Sequence, residues 1–283
     1  MGYLCAIGSA VLYGIMPLLA KEIYAGGGSE LTVVAFRFLT GVPFLFLLTK
    51  IQKISLKITV VEFRKLFFLS QGLVFTSIFL FLSYSFTPAG MSTTIHFVYP
   101  TLVLVIEAVA FREKLSLAKV VCAFLGLFGV ACFYSPDGMA SGTGILLAFA
   151  SAVTYSFYVV YDEKSGLMYM NSYKLCFYVL LICGLEAAIL AIFSKNFVLG
   201  LTWKAWSLML VLSFATTVLS MLLVQTSLKW IGAEKTSFLS TFEPLTSVIL
   251  GIVLLGEQLT VRTGLGIACI LSAAVMISLG KRG

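Results

Sequence analysis

Long apolar segments alternate with short polar clusters along the whole chain. An α-helix that crosses the hydrocarbon core of a bilayer needs about 20 mostly apolar residues, and these segments have that length. The runs between charged clusters predict ten spans, at residues 2–20, 31–49, 66–86, 90–111, 117–134, 143–161, 172–193, 206–228, 233–256 and 261–279. The pattern is therefore typical of an all-α polytopic membrane protein.

The composition supports this prediction and excludes most other classes of protein. Of the 283 residues, 60% are hydrophobic and only 11% are charged. A soluble domain carries about 25% charged residues, which cover the surface that water wets. The mean hydropathy is +1.06. Ten spans use roughly 200 residues, so this stretch of chain has no room for a nucleotide-binding cassette, a large receptor domain or a fused catalytic domain.

The basic residues indicate how the spans are oriented. The formal net charge of +7 could indicate a nucleic-acid partner, but clusters of Lys and Arg between apolar runs are what membrane topology requires. With the N-terminus in the cytoplasm, 14 basic residues fall inside and four, Lys21, Lys195, Lys204 and Arg262, fall outside. We therefore expect a protein of the cytoplasmic membrane, surrounded by lipid bilayer, with both termini cytoplasmic and no nucleic-acid partner.

The chain contains an internal repeat. Residues 2–14 align with residues 144–156 at a shift of 142, and seven of these thirteen positions are identical. A shift of 144 then places Pro100 on Pro244. The sequence therefore predicts one five-helix unit used twice.

An odd number of spans in each unit reverses the second unit relative to the first. We expect the units at residues 1–138 and 139–283, related as two inverted five-helix repeats. Inverted repeats are common in secondary transporters, which bind their substrate near the middle of the membrane where the two halves meet.

Several stretches resemble a known family. They are SLKWIGAEKTSFLSTFEPLTSVILGIVLLGEQLT in the second unit, AFRFLTGVPFLFLL in the second span, and the motifs REKLS and GEQLT that close the fourth and ninth spans. The chain resembles the drug/metabolite transporter (DMT) superfamily over its whole length, in particular the ten-helix EamA-type branch. The resemblance implies transport of amino acids, other metabolites or drugs, often outward, with a site lined by spans 1, 3, 4, 6, 8 and 9. His96 and Tyr99 depart from the commoner family pattern.

Two polar helix faces are candidates for a substrate site. On the fourth and on the ninth span, the residues of the face recur at helical spacing. The residues are His96, Tyr99, Val103 and Glu107, matched in the repeat by Ser240, Glu243, Ser247 and Gly251. Pro100 and Pro244 each crowd the carbonyl four residues earlier, and a freed carbonyl is tolerated in a membrane only against protein or a wet cavity. We expect helix breaks with a role in gating; the alternative is that both prolines merely bend packed helices.

Tyrosines on the first and sixth spans are candidates for contact with the body of a solute. Tyr13 corresponds to Tyr155 in the repeat, and Tyr158 follows almost one helical turn later. Rings that carry a hydroxyl suit a cavity that holds an organic solute by stacking and one or two hydrogen bonds. The alternative for each tyrosine is ordinary helix packing.

Few charged or histidine side chains lie more than two residues inside the ends of the predicted spans, and a charge costs roughly 2.5–3.5 kcal/mol at the bilayer centre. They are Arg37, His96, Glu107, Glu186 and Glu243. His96 and Glu243 are the candidates for coupling to protons. Arg37 could extend to the outer interface or pair with a buried carboxylate, and we expect a structural role for it.

The expected function is secondary transport of a small organic metabolite, an amino acid or a related compound, by alternating access, with export favoured over uptake. The substrate-binding candidates are Tyr13, His96, Tyr99, Tyr155, Tyr158, Ser240 and Glu243, with Pro100 and Pro244 at the helix breaks. We expect no cofactor and no metal, because the sequence shows no cluster of metal ligands and no phosphate-binding loop.

Other functions stay open at this point. Uptake of a small metabolite or drug is the alternative within the transporter class. A lipid-handling or flippase component, or a non-transporting partner subunit, is a second alternative. A membrane-embedded enzyme acting on lipids would need paired carboxylates or a His-rich cluster, and the sequence offers neither, so we expect no enzyme. The sequence is also compatible with a homodimer.

Overall fold

The computed structural model describes residues 1–111, 117–132 and 141–279, and the regular secondary structure of these residues is entirely helical. The α-helices, in chain order, are α1 (Gly2–Ala25), α2 (Glu30–Leu39), α3 (Gly41–Ile51), α4 (Val60–Ser83), α5 (Ala89–His96), α6 (Tyr99–Phe111), α7 (Leu117–Cys132), α8 (Gly142–Ser165), α9 (Ser172–Phe193), α10 (Trp203–Ser213), α11 (Ser220–Leu239), α12 (Phe242–Leu255) and α13 (Val261–Leu279). A 3-10 turn, Leu167–Tyr169, follows α8, and a π-helical segment, Phe214–Leu219, joins α10 to α11. The predicted all-α class is therefore confirmed.

Seven helical segments in the described ranges are long and apolar enough to cross a membrane. They correspond to predicted spans one to four and six to eight, with α2 and α3 forming one segment and α5 and α6 another. The other three predicted spans correspond to shorter apolar helices in α7, α12 and α13. The chain is thus a multi-pass membrane protein, while the count of ten spans stays a prediction. Residues 133 and 134, the predicted end of the fifth span, lie outside the described residues.

The predicted start of the third span lies after the start of its helix in the structure. Its helix, α4, starts at Val60, six residues before the predicted start at residue 66. A capping box explains the early start. The backbone N–H of Glu62 donates to the Thr59 hydroxyl at 3.2 Å, and the Glu62 carboxylate accepts from the Thr59 N–H at 2.7 Å. Hydropathy missed these polar first turns because the apolar run begins only after them.

The predicted loop at residues 229–232 is helical, because α11 continues from Ser220 to Leu239. The hydroxyl oxygens of Ser227 and Thr236 are nevertheless only 2.8 Å apart. Nine residues of straight α-helix rise about 13.5 Å, so the chain bends sharply between these two residues. The chain therefore turns where the sequence predicts a loop, but the backbone stays helical.

Contacts between helix ends show the direction in which three of the helices run. The Tyr24 hydroxyl, at the end of α1, donates to the Phe81 carbonyl near the end of α4 at 3.0 Å. At the start of α4, the Lys65 ammonium donates to the Ser165 carbonyl at the end of α8 at 2.7 Å. Helices α1 and α4 therefore run toward one end, and α8 runs toward the other. This arrangement fits the alternating topology from the sequence; the cytoplasmic position of both termini stays a prediction.

The buried apolar residues form two clusters. The larger cluster packs α1 to α4 against α9 and α10. The smaller cluster packs α5 against α8 and α13. Tyr158 packs on the larger cluster and Tyr99 packs on the smaller one. Two of the predicted substrate-binding tyrosines therefore pack on different clusters.

Candidate substrate site

His96, the last residue of α5, is held by a serine of α8. Its Nδ1 lies 2.9 Å from the Ser151 hydroxyl oxygen, which lies 2.6 Å from the Ala148 carbonyl. A carbonyl only accepts hydrogen bonds, so the single hydroxyl proton of Ser151 is donated to Ala148. Nδ1 of His96 must then carry the proton that it donates to Ser151. The neutral ring consequently presents Nε2 as a hydrogen-bond acceptor.

Three tyrosines continue from this histidine, and we refer to His96, Tyr99, Tyr155 and Tyr158 as the aromatic cluster. The ring centroids of His96 and Tyr155 are 5.2 Å apart. Tyr99 meets Tyr155 edge-on at 4.7 Å, and Tyr158 stacks on Tyr155 at 5.6 Å. These distances are typical of favourable aromatic pairs. All three tyrosines keep part of their surface accessible.

Both predicted helix breaks coincide with interruptions of the helical backbone. Two residues separate α5 from α6, and two separate α11 from α12. Pro100 and Pro244 lie in the first turns of α6 and α12. Proline is tolerated in a first turn because the N–H that it lacks would have no helical partner there. The breaks thus place the ends of four helices close to the aromatic cluster and to Glu243.

Ser240 lies at the second break, and its carbonyl is not freed as the sequence led us to expect. The backbone N–H of Glu243 donates to that carbonyl at 3.0 Å. The Ser240 hydroxyl donates back to the Thr236 carbonyl at 3.0 Å. Its proton is therefore occupied within its own helix, and only its lone pairs remain available to a solute.

A close approach of α1 to α12 packs Gly14 against the backbone of Glu243. A Cβ atom on Gly14 would lie 2.6 Å from the Glu243 carbonyl oxygen and 2.6 Å from the Thr246 Cβ. Only glycine permits this packing distance. Tyr13, the residue before Gly14, and Glu243 are both partly accessible, so two of the predicted site residues lie at or next to this contact of α1 with α12.

Arg37 of α2 lies in the protein interior, with 6% of its surface exposed. Its Nε donates to the Thr217 hydroxyl at 3.0 Å, and one terminal nitrogen lies 3.0 Å from the Met16 sulfur. Its guanidinium carbon lies 5.0 Å from the Phe38 ring centroid and 5.2 Å from that of Phe81. Neither alternative from the sequence is seen: the side chain does not reach the interface, and within the described part of the chain it forms no ion pair.

The remaining ionisable candidates do not join this region in the same way. The Glu186 carboxylate, on α9, accepts a hydrogen bond from the Gln71 amide of α4 at 2.6 Å. The side chain of Glu107 lies outside the described residues, as does the whole REKLS motif at residues 112–116.

One contact that the sequence did not indicate joins three elements at one end of the bundle. The Glu257 carboxylate accepts from the N–H groups of Ala89 and Gly90 at 2.5 and 3.2 Å, and from the Lys21 ammonium at 3.1 Å. An anion at a helix N-terminus satisfies free N–H groups and meets the positive end of the helix dipole. We call this contact the α5 latch, because it ties the start of α5 to α1 and to the turn after α12.

Sequence reasoning also missed Ser151 as the partner of His96. A signal was present, because the repeat aligns Ser9 with Ser151. The Ser9 hydroxyl, for its part, donates to the Ser220 carbonyl at 3.0 Å. Each first helix of a repeat thus uses this serine to bind another helix. A sequence pattern alone does not show which partner each serine finds.

Comparisons with known proteins agree with this architecture. The chain matches the model of the EamA-like transporter family over residues 1–135 and 142–279. It is 26% identical to the Uncharacterized inner membrane transporter YicL of Salmonella typhimurium, over 93% of this chain and 85% of that one. It is 25% identical to the Uncharacterized transporter YxxF of Bacillus subtilis, over 75% of this chain and 68% of that one. A solved crystal structure aligns with a TM-score of 0.70 at 18% identity, over 97% of this chain and 95% of that one.

The fold and the relatives define the class as a polytopic α-helical membrane transporter. The chain belongs to the EamA-like transporter family, which confirms the resemblance inferred from its motifs. The family model matches twice, in a manner that fits two repeated units. The boundary between residues 138 and 139 stays a prediction.

Proposed function

We propose that this protein is a secondary transporter that moves a small organic metabolite, an amino acid or a related compound, across the cytoplasmic membrane by alternating access. Export is the favoured direction. The aromatic cluster is the observation that supports an organic solute most strongly. Three partly accessible tyrosine rings and a histidine acceptor inside a membrane protein offer both apolar contact area and hydrogen bonds.

The residues around this region have distinct roles in the proposal. Tyr13, Tyr155 and Tyr158 contact the body of the solute. His96, through Nε2, and the Tyr99 hydroxyl meet its polar groups. Ser240 and Glu243 contribute from the opposite helix break. The hydrogen bonds described above support two of these roles, because the neutral His96 ring keeps an acceptor nitrogen while the Ser240 hydroxyl has already donated its proton.

Alternating access requires the two ends of the bundle to open in turn, and two features support it. The α5 latch holds α1, α5 and the turn after α12 together at one end. The helix breaks before Pro100 and Pro244 supply short segments that can act as hinges near the solute. In this proposal the latch closes the outer end, and both termini lie in the cytoplasm.

Energy for transport comes from the solute gradient or from a coupled ion in this proposal. His96 and Glu243 are the residues proposed to bind a coupled proton. Replacing His96 by Gln tests the histidine, because a coupling role predicts that the pH dependence of transport is lost. Transport that keeps its pH dependence would remove His96 from that role. The homodimer stays a prediction.

Counterflow in proteoliposomes tests the function directly. Vesicles loaded with one unlabelled solute at millimolar concentration are diluted into the same solute carrying a label, for amino acids, sugars, nucleosides and cationic drugs in turn. We expect one class of solute to accumulate transiently, and Tyr155→Ala to abolish this. The exposed Tyr169 (86% exposed) gives the matched control Tyr169→Ala, which should transport normally.

Failure of every solute class would contradict the proposal. Labelled phospholipid that redistributes between leaflets under the same conditions would instead favour the lipid-handling alternative. Direction is tested separately in cells, by comparing efflux of the preloaded solute with its uptake. Faster efflux supports export, and uptake alone would make the protein a permease.

A further inference from the structure

We propose that the connection between α3 and α4 is a binding surface for the headgroups of anionic phospholipids. We call residues 52–64 the basic strap; they comprise this connection, residues 52–59, and the start of α4. The proposal goes beyond the transport function and does not depend on which solute is carried. In the topology predicted from the sequence, the lipids belong to the cytoplasmic leaflet.

The two repeated units build this connection twice. At the shift of 142 that relates the units, Lys53 aligns with Lys195 in the α9–α10 connection, residues 194–202. Both lysines have a left-handed backbone, with φ of 54° and 58°, and the same pair of backbone hydrogen bonds closes the end of each preceding helix. An extended segment follows, and a threonine, Thr59 or Thr202, then caps the next helix. The two connections therefore provide an internal comparison.

The basic strap carries cations at positions where the α9–α10 connection is neutral. When the two capping threonines are aligned, Lys57 matches Gly200 and Arg64 matches Ser207. Lys53, Lys57 and Arg64 are exposed, and none of them forms an ion pair with another described residue. Because the same local structure forms without Lys57 and Arg64 in the second unit, these charges are not required by the fold.

The two ends of the bundle also differ in how the protein neutralises its cations. At the end where α1 finishes, Lys21 and Lys204 each pair with a glutamate, at 3.1 and 2.7 Å. The basic strap begins α4 and so lies at the other end. Its one carboxylate, Glu62, accepts from the Thr59 N–H at 2.7 Å and lies 3.8 Å from the Lys174 ammonium. The described part of the chain therefore leaves the exposed cations of the strap without a counter-charge.

Exposed apolar side chains indicate that a bilayer supplies this counter-charge. They are Ile51, Val60, Val61 and Phe63 in and beside the strap, and Phe193, Leu199 and Trp203 in and beside the α9–α10 connection. Apolar and aromatic residues mixed with cations are typical of the interface between lipid and water. An anionic lipid surface attracts Lys and Arg within a Debye length, about 8 Å at physiological salt. A soluble acidic partner would not account for the apolar side chains.

The strap is fixed to the bundle, so a ligand bound there stabilises the folded protein. The Tyr178 hydroxyl of α9 donates to the Leu56 carbonyl, and Ile58 packs on the larger apolar cluster. Directly after the strap, the Lys65 ammonium donates to the Ser165 carbonyl at the end of α8 at 2.7 Å. Lipid binding is therefore measurable as a rise in the melting temperature.

Two phospholipids with the same acyl chains test the charge requirement. Dioleoyl phosphatidylglycerol or dioleoyl phosphatidylcholine is added to the purified protein in a neutral detergent. The apparent affinity comes from the concentration dependence of the thermal shift. We expect the anionic lipid to stabilise the wild type more than the zwitterionic lipid, and added salt to reduce the difference.

Two matched variants locate the site, and each replaces three exposed cations. The substitutions are Lys53→Gln, Lys57→Gln and Arg64→Gln in the strap variant, and Lys195→Gln, Lys204→Gln and Arg262→Gln in the control variant. Each Lys or Arg near an anionic surface contributes about fivefold to binding, so the strap variant should bind phosphatidylglycerol about 100-fold more weakly. The control variant should bind it as the wild type does.

Hydrogen exchange of the wild type gives a readout that does not depend on the folding of a variant. The protein is placed in nanodiscs of either phospholipid, and exchange is followed by mass spectrometry. We expect a peptide covering residues 52–59 to exchange more slowly in phosphatidylglycerol than in phosphatidylcholine. The repeat-related peptide covering residues 195–202 should exchange at the same rate in both.

Several outcomes overturn the proposal. Equal stabilisation by the two phospholipids, or equal affinity of the strap variant and the control variant, would leave the cations with a role in membrane topology alone. Inorganic phosphate that stabilises the wild type as strongly as phosphatidylglycerol would show that free phosphate is the ligand. Equal stabilisation by polyglutamate would indicate a soluble acidic partner. None of these outcomes bears on the transport function, because the strap contains no proposed solute-binding residue.

Discussion

Nδ1 of His96 lies 2.9 Å from the hydroxyl oxygen of Ser151, so α8 fixes both the position and the tautomer of the single histidine in the chain. The side chain is 6% exposed. Any change of Ser151 therefore changes how His96 presents Nε2 to the interior. Ser151 is thus both a position that the repeat aligns with Ser9 and the partner of a candidate site residue.

Replacing Ser151 by Ala should lower both stability and solute affinity. The variant leaves the Nδ1–H of His96 without its acceptor, which costs about 1–3 kcal/mol for a buried donor. The apparent melting temperature should fall, and the affinity for the transported solute should fall with it. Ser207→Ala is the control, because the Ser207 hydroxyl is exposed and donates to its own helix. A Ser151→Ala variant as stable as Ser207→Ala would contradict the account of His96.

His96→Asn and His96→Gln should differ. The asparagine amide can replace Nδ1–H as the donor to Ser151, while the longer glutamine amide reaches the position of Nε2. We expect His96→Asn to keep the melting temperature of wild type but to lose solute affinity about tenfold, because it lacks the outer acceptor. Equal affinity in His96→Asn and wild type would show that Nε2 does not contact the solute.

Gly14→Ala should disturb the site through the backbone of α12. The added Cβ would lie 2.6 Å from the Glu243 carbonyl, and neither backbone can yield without moving the helix. Overpacking of this kind costs about 1–3 kcal/mol. Gly264→Ala is the matched control, because a Cβ there meets nothing within 4 Å. We expect a lower melting temperature and weaker solute binding only in Gly14→Ala; equal behaviour of the two variants would contradict the close packing of α1 on α12.

The α5 latch should protect the start of α5 from hydrogen exchange. In Glu257→Gln the N–H groups of Ala89 and Gly90 lose a charged acceptor, and the ion pair with Lys21 is lost. Exchange in a peptide covering residues 89–92, followed by mass spectrometry, should become about tenfold faster. Lys204→Gln removes a more exposed ion pair at the same end of α1, with 73% and 41% of its side chains exposed, and should leave this peptide unchanged. An unchanged exchange rate in Glu257→Gln would show that the α5 latch does not stabilise the start of α5.

The bend in α11 predicts a cross-link. With the Ser227 and Thr236 hydroxyl oxygens 2.8 Å apart, cysteines at both positions should form a disulfide under mild oxidation, detected as a linked peptide by mass spectrometry. A straight helix would separate the two by about 13.5 Å and prevent the bond. Absence of the disulfide would therefore indicate that α11 runs straight through residues 227 to 236.

The sequence was sufficient to predict the fold class and the family because hydropathy and the repeat are properties of the chain itself. It also placed Pro100 and Pro244 beside the helix breaks, since proline acts on its own backbone. It could not give the start of α4, where a polar capping box precedes the apolar run. Local capping and hydropathy are separate signals, and only hydropathy sets the predicted bounds of a span.

The partners of the candidate site could not be read from the sequence for a different reason. His96 and Ser151 are 55 residues apart, and Lys21 and Glu257 are 236 apart. Contacts at such separations depend on how helices pack. Arg37 shows the same limit, because its distance from every described carboxylate is a property of the assembled bundle.

The most direct test of the central claim, a solute site at the aromatic cluster, is a thermal-shift screen of the purified protein. Amino acids, sugars, nucleosides and cationic drugs are added in turn to wild type, Tyr155→Ala and the control Tyr169→Ala. A ligand that binds only the folded state raises the apparent melting temperature. We predict that one class of solute stabilises wild type and Tyr169→Ala and has no effect on Tyr155→Ala. A solute that stabilises all three proteins equally, or stabilisation by lipid alone, would contradict the account.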